Sequence, residues 1–413
     1  MSRTPHHNSL AVGAWSVTAA FVTYFCMYGF RKPFTAAGYT GQTLGGIDFK
    51  TVLVSAQVLG YMVSKFIGIK VVAEMSPRHR AAAILVLIAA SHLALLGFGL
   101  VPAPYNFAFL FLNGLPLGMV FGLVVGFIEG RRHTEALAAG LCASFIVADG
   151  FTKTVGKALL DGGVPEQWMP FVAGLVFAPP LAVGVWMLSR VPPPDAADVA
   201  ERSVRKPLNR ADRRRFFARH ATALVPLVAM YLLVTVQRSM RADFAPELWA
   251  GLGEPAAPAV FTQSELIIAL VVLAATGATA LVRNNRLAFG LSLATCLAGL
   301  VLIALALLGL RAGQIGGFAF MVCVGLGLYL PYVAVQTTLL ERLIALTREP
   351  GNLGYLVSLA DAVGYLGYVA VMIGRAVFAP GNNLLTFFEG ASWLVALASV
   401  ACIALTWHGL GRK

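Results

Sequence analysis

The chain has 413 residues, of which 58% are hydrophobic and only 12% charged, with a mean hydropathy of +0.77. Soluble domains carry roughly a quarter of charged residues, so this composition excludes a soluble globular protein and predicts a polytopic membrane protein. The net charge of +12 would suit a nucleic-acid partner, but most of the basic excess falls in short connections between apolar runs, which is topology rather than nucleic-acid recognition.

Taking about 20 apolar residues per span, the chain predicts twelve membrane helices, near 11–38, 50–74, 80–101, 106–130, 134–160, 168–190, 220–242, 260–283, 286–310, 314–342, 350–378 and 384–408. No cleavable signal is expected, because the apolar run from Leu10 exceeds a signal h-region and leads straight to Arg31. Cys26, Cys142, Cys296, Cys323 and Cys402 are widely spaced inside apolar runs, the pattern of small buried side chains rather than of disulfides or a zinc site. Nineteen Lys and Arg fall on one side of the predicted spans, against Lys50 and Arg311 on the other. That bias puts both termini in the cytoplasm, in a cytoplasmic (inner) membrane.

Residues 1–190 and 220–413 then form two six-helix bundles, joined by a basic cytoplasmic linker, 191–219. Pro192 to Pro194 stop the sixth helix, and the basic run from Arg210 suits anionic lipid headgroups. The halves repeat. Tyr24 and Arg31 return as Tyr231 and Arg238 at an offset of 207, Gln57 and Arg80 as Gln263 and Arg286 at 206, and Glu129 and Asp149 as Glu341 and Asp361 at 212. Parallel six-helix repeats describe the major facilitator architecture: all-α, twelve transmembrane helices, two pseudo-symmetric bundles.

Arg31, in YFCMYGFRKPF, and Arg238, in YLLVTVQRSMR, each interrupt an apolar helix. A guanidinium at the centre of a membrane helix costs about 2.5–3.5 kcal/mol on insertion scales, so it marks a pathway or a partner. Two arginines at matching places can grip one oxyanion bidentately, which suits phosphate or carboxylate; alternatively each is neutralised by an acidic neighbour. Away from the cytoplasmic ends, Arg31, Lys32, Lys65, Lys153, Lys157, Arg238 and Arg241 face only Asp149, Glu265 and Asp361, a positive excess that calls for an anion. Tyr24, Tyr231 and Tyr365 join Lys65, Lys153 and Lys157 as candidate substrate-binding groups, and Asp149, Asp361 and Glu265 are candidate coupling groups. Asp149, Lys153 and Lys157, spaced four apart, make one charged stripe on the fifth helix; an Asp149–Lys153 ion pair would neutralise itself and still leave Lys157 in search of a partner. Asp361, Tyr365 and Tyr368 share a face on the eleventh.

Glu74, Arg78, Arg80, Glu129, Arg283, Arg286 and Glu341 cluster at cytoplasmic helix ends, where ion pairs would close a cytoplasmic gate. Gly114, Gly118, Gly122, Gly126 and Gly130 give the fourth helix a small-residue face for close packing, and Pro116 and Pro331 are expected to kink their helices. His92 is expected to be a satisfied packing residue. GFTKTVGKA, from Gly150, has five rather than four residues between its glycines and ends in Ala, so it is not a phosphate-binding loop; no metal, cofactor or catalytic fingerprint is present, and no enzyme is expected.

YxxxxxxRKxF in the first helix, followed by GYMVSKFIGIKVVAEMSPRHR in the second, resembles the organophosphate:phosphate antiporter branch of the major facilitator superfamily, the glycerol-3-phosphate and hexose-phosphate transporters. The specific match spans roughly residues 24–80. The resemblance implies that Arg31, Lys65 and Arg238 line a phosphate site and that inorganic phosphate is the counter-ion. Two features depart from it: Glu74 is followed by Met75 where an Asp-Arg pair is usual, and the fifth helix has no histidine. The expectation is a monomeric secondary transporter of a small organic anion, a phosphorylated one by the resemblance, working by exchange or ion coupling. The alternatives are a proton-coupled carboxylate or other solute symporter and a transporter-like membrane sensor of an organic anion.

Overall fold

The computed structural model describes residues 6–128, 134–193, 217–255, 257–347, 353–378 and 383–411. Glu129, Arg131 and Arg132, most of the basic linker and both basic termini lie outside them. The helices are α1 (His6–Tyr28), α2 (Phe49–Glu74), α3 (Pro77–Leu100), α4 (Phe107–Ile128), α5 (Thr134–Asp161), α6 (Met169–Ser189), α7 (Ala221–Asp243), the short α8 (Ala245–Gly251), α9 (Pro258–Ala280), α10 (Asn285–Arg311), α11 (Gly317–Ala334), the short α12 (Leu340–Thr347), α13 (Leu353–Phe378) and α14 (Leu384–Gly411). A two-residue hairpin, β1 (Thr43–Leu44) and β2 (Ile47–Asp48), pairs Leu44 with Ile47 ahead of α2.

Twelve helical stretches among the described residues are long and apolar enough to cross a membrane. The chain is an integral multi-pass membrane protein, and its packing is inverted accordingly. On α3, Val86, Leu93 and Leu100, seven apart, are 65–67% exposed, while Ile84, Ile88, Ser91, Leu95 and Phe98 are buried. Leaving leucines and valines outward is favourable only where the solvent is hydrocarbon.

The chain divides into two compact units, Met1–Ser203 with Pro258–Thr262, and Val204–Ala257 with Gln263–Lys413. In the first, α4 crosses α2 at backbone contact: a Cβ on Gly114 would strike the Gln57 carbonyl, and one on Gly118 would lie 2.6 Å from the Ser64 Cβ. A methyl group does not fit there, so the glycine face set by the sequence is a packing requirement.

The first span does not continue to residue 38 as predicted. α1 ends at Tyr28, the Arg31 and Lys32 amides both bond back to the Tyr28 carbonyl, and a 3-10 turn, Pro33–Ala36, follows. The reason is local: Pro33 has no N–H to continue the helix. Past the turn, Tyr39 adopts φ 51°, and the Gly38 and Tyr39 amides both donate to Glu166 Oε1 at 3.3 Å. Burial beside that carboxylate pushes the Tyr39 phenol well above its ordinary range. Lys50, predicted in an outside connection, sits in the first turn of α2, 1% exposed, with its ammonium on the Thr35 carbonyl at 2.8 Å.

In the second unit Pro331 lies inside α11, and the chain continues through a five-residue π-turn, Val335–Leu339, into α12. A π-turn shifts helical register by one residue, and such turns are frequent where function needs a side chain re-aimed. The residue re-aimed is Gln336.

Candidate functional site

In the first unit the break after Tyr28 leaves the Phe30 and Arg31 carbonyls without helical partners, and two amides satisfy them. Gln57 Nε2 donates to the Arg31 carbonyl at 2.8 Å and to Asn113 Oδ1 at 2.7 Å. Asn113 Nδ2 in turn donates to the Phe30 carbonyl at 3.0 Å and to Ser91 Oγ at 2.6 Å. This buried network ties α2, α3 and α4 to the kink, and it fixes where the Arg31 side chain begins.

That side chain is 3% exposed and lies over the Tyr61 ring, 3.8 Å from its centroid, with Tyr28 at 5.5 Å. Lys65, one turn beyond Tyr61 on α2, places its ammonium 5.4 Å from the same ring and 5.5 Å from that of Phe121. Tyr24 packs edge-on against Tyr28 and Phe121. Arg31, Lys65 and Tyr24, predicted apart, therefore meet in one aromatic cage. Its central ring, Tyr61, escaped the sequence reasoning, although its i, i+4 spacing from Lys65 was the available signal. A cation over an aromatic face is worth about 0.5–2 kcal/mol, and a guanidinium presents planar, paired donors of the kind that match an oxyanion.

On the fifth-helix stripe the Asp149–Lys153 ion pair is present, and a second ammonium joins it. Asp149 holds the Lys153 ammonium at 2.6 Å and faces that of Lys32 at 3.9 Å, all three buried. Lys157 is not in search of a partner: Asp161, one turn on, takes it at 2.6 Å near the end of α5, where both side chains are partly exposed. The sequence count omitted Asp161 because it sits at the helix terminus.

In the second unit α7 continues past Arg238, since no proline follows before Pro246. Arg238, 6% exposed, lies over Tyr332, 4.1 Å from its centroid, with Tyr329 at 5.6 Å. Tyr332 stacks on Tyr231 with centroids 5.0 Å apart. The Tyr231 hydroxyl donates to Asp361 Oδ1, and Gln336 Nε2 reaches the Tyr231 hydroxyl at 2.7 Å, that of Tyr332 at 3.0 Å and Asp361 Oδ1 at 3.2 Å. Tyr365, also buried, is part of this cluster's electrostatics. Tyr329, Tyr332 and Gln336 were missed, although their i, i+3, i+7 spacing marks one face of the tenth span.

Arg241, counted above as an excess cation, is paired: its NH1 lies 2.5 Å from Glu265 Oε1, and its Nε donates to the Met321 carbonyl at 3.2 Å. Glu265 is thereby engaged in a tie between α7 and α9. Asp161 lowers the positive excess inferred from the sequence by one, whereas the Arg241–Glu265 pair leaves it unchanged because both groups were already counted. Gln263, the repeat equivalent of Gln57, is exposed and has no corresponding role. At the gate residues, Arg80 NH1 donates to the Gly126 carbonyl at 2.5 Å and Arg342 NH1 to Asn285 Oδ1 at 2.7 Å, while Glu74, Arg78, Arg283 and Arg286 are exposed and Glu341 is half-buried. His92 does pack, stacked on Phe171 with centroids 4.5 Å apart and edge-on to Phe30, but neither ring nitrogen has a hydrogen-bond partner among the described residues. The five cysteines are free, three buried and two half-buried.

The fold is that of solved major facilitator transporters. A point mutant of the nucleoside transporter NupG superposes with a TM-score of 0.59 at 14% identity, covering 95% of this chain and 99% of that one. The D-xylose-proton symporter gives 0.60 at 12%, covering 96% and 97%. The human organic anion transporter MFSD10 gives 0.51 at 15%, covering 96% and 100%. Identities this low establish architecture and not substrate. No curated protein matches the sequence. The model of DUF5690, a family of unknown function, matches residues 33–413, and the chain belongs to that family.

Proposed function

We propose that this protein is a secondary transporter of a small organic anion, with phosphorylated compounds the first class to test, working by alternating access in a cytoplasmic membrane with both termini inside. The observation that carries this is the recurrence, in each repeat, of a buried guanidinium laid on a tyrosine ring, Arg31 on Tyr61 and Arg238 on Tyr332. Charges deep in a membrane helix bundle are expensive and are retained where a substrate uses them. Guanidinium suits oxyanions because it offers paired donors in a fixed plane. Lys65 adds charge to the first cage, and the Lys32–Asp149–Lys153 triad carries one more cation than anion. Exchange for inorganic phosphate is the mechanism the resemblance implies.

The test is a thermal-shift screen of the purified protein against inorganic phosphate, glycerol phosphates, sugar phosphates, nucleotides and carboxylates. A ligand at 100 times its dissociation constant stabilises by about 2.7 kcal/mol, and an anion is expected to do so. Arg31→Ala and Arg238→Ala should each weaken that ligand at least tenfold, and the lysine variants should also lose substantially. If both arginines serve one anion, the double variant loses less than the sum of the singles. Lysine variants that bind normally, or no stabilising anion at all, would sink the proposal.

A further inference from the structure

We infer that the end of α6 is a binding site for an anionic phospholipid, whose phosphate sits on the Arg190 guanidinium and the Trp186 indole N–H while an acyl chain runs along the outer face of the helix. The inference is independent of the transport reading. It starts from the helical period. Val176, Pro179, Val183, Trp186 and Arg190 recur at intervals of three and four and are all exposed, so they form one stripe on α6. The first four are apolar and face hydrocarbon. The fifth is a guanidinium, and as the C-cap in right-handed helical geometry it keeps the phase of the stripe.

Trp15 on α1 stands edge-on to Trp186, with ring centroids 6.2 Å apart, and its own N–H is spent on the Met187 carbonyl at 3.0 Å. That bond ties the two helices and sets one indole against the other. Arg190 lies over the Trp186 ring, its Cζ 5.6 Å from the centroid. Among the described residues, no acceptor bonds the Arg190 guanidinium or the Trp186 N–H. Both groups are donors only, so the ligand they fit is an acceptor, and a phosphate matches the planar fork of the guanidinium.

The charge of Arg190 selects among lipids. An anionic phospholipid neutralises it, whereas a zwitterionic one brings an ammonium of its own to the same place. The linker that begins at residue 191 is basic in sequence and favours the same lipids. Position decides between a lipid and a soluble phosphate. The donors stand at the end of a hydrocarbon-facing stripe, at the depth where a lipid phosphate lies, with Val183 and Val176, more than half exposed, beneath them for the chain. A second arginine supplies the contrast. Arg311, at the end of α10, also lies over an indole, Trp393 at 6.0 Å, but Glu389 Oε2 is 4.0 Å from its Nε, so its charge is met within the protein.

The experiment uses the full chain in phosphatidylcholine vesicles containing a minor fraction of phosphatidylglycerol, with bromine on the acyl chains of one lipid or the other, and reads quenching of tryptophan fluorescence. Of the six tryptophans, the signal of Trp186 is the part lost on Trp186→Phe in each background. Brominated phosphatidylglycerol is expected to quench it beyond its share of the lipid. Arg190→Gln should lower that preference about fivefold, the effect of one basic side chain at an anionic surface. Arg311→Gln should leave it unchanged, and the attraction of the linker is common to every chain compared, so the difference belongs to Arg190. Soluble glycerol 3-phosphate should not displace the lipid. Equal preference for the two lipids at Trp186, or an undiminished preference in Arg190→Gln, overturns the inference. Displacement by glycerol 3-phosphate also overturns it, because the site is then one for a soluble anion.

Discussion

Each repeat sets one arginine on a tyrosine ring, but what stands behind the two arginines is inverted. Behind Arg31 the tie is neutral, Gln57 to Asn113 to Ser91, and the nearby carboxylate, Asp149, faces two ammoniums. Behind Arg238 the tie is ionic, Arg241 to Glu265, and the carboxylate, Asp361, accepts from a phenol and an amide. Position 113, an asparagine in the first repeat, corresponds to Gly325 in the second, and there the Arg241 guanidinium lies against the bare glycine. Matching sequence positions thus carry opposite electrical duties. The carboxylate of the first unit faces two ammoniums, and that of the second accepts from a phenol and an amide.

The sharpest break of this comparison is a pair of isosteric substitutions. Asp149→Asn leaves two buried ammoniums without their carboxylate and should cost about 3–5 kcal/mol. Asp361→Asn exchanges one hydrogen-bonding group for another and should cost no more than about 1–3 kcal/mol. Thermal unfolding in one detergent measures both, and equal losses would erase the distinction. A smaller effect is expected from Gln57→Leu, which removes the amide that donates to the Arg31 carbonyl and to Asn113 Oδ1, at about 1–3 kcal/mol. The same substitution at exposed Gln263 should be silent by the same measure.

The tyrosine rings sharpen the contrast further. Tyr61→Leu and Tyr332→Leu each remove a cation–π contact of about 0.5–2 kcal/mol. Tyr61→Phe and Tyr332→Phe keep the aromatic face but each delete a hydroxyl, the one bonded with Tyr24 and the one that Gln336 reaches, a loss of about 1 kcal/mol apiece. Affinity for a stabilising anion, compared across the four variants, reads this out. Least of all should follow from Lys157→Ala, whose partly exposed i, i+4 pair with Asp161 contributes below about 0.5 kcal/mol. A large drop in stability or binding would mean that Lys157 acts elsewhere in the cycle.

The number of spans and the repeat were legible because hydropathy and spacing are one-dimensional signals, and a bilayer enforces them. Arg31, Lys65 and Arg238 stood out because a charge in an apolar run is improbable without a use. What escaped was whatever depends on which side chain faces which across helices. Tyr61, Tyr332 and Gln336 look like ordinary residues of apolar helices until packing assembles them. Arg241 looked like surplus charge because its partner lies 24 residues away on another helix. The end of α1 was readable from Pro33 and was overridden by the apolar run on either side. The π-turn at Val335–Leu339 has no compositional signature beyond the proline before it.

The amide tie at the kink also sets an order of events during synthesis. Gln57 arrives on α2, Ser91 on α3 and Asn113 on α4, so the Arg31 carbonyl can acquire its partner with the second span and the Phe30 carbonyl only as the fourth enters the bilayer. Until these partners arrive the nascent first span carries an arginine and carbonyls without their donors, a condition that hydrocarbon penalises. All the parts of the Arg31–Tyr61 cage are encoded before residue 122, well ahead of the second repeat. The ribosome therefore delivers a chain whose first arginine is already seated while the other half is still being translated.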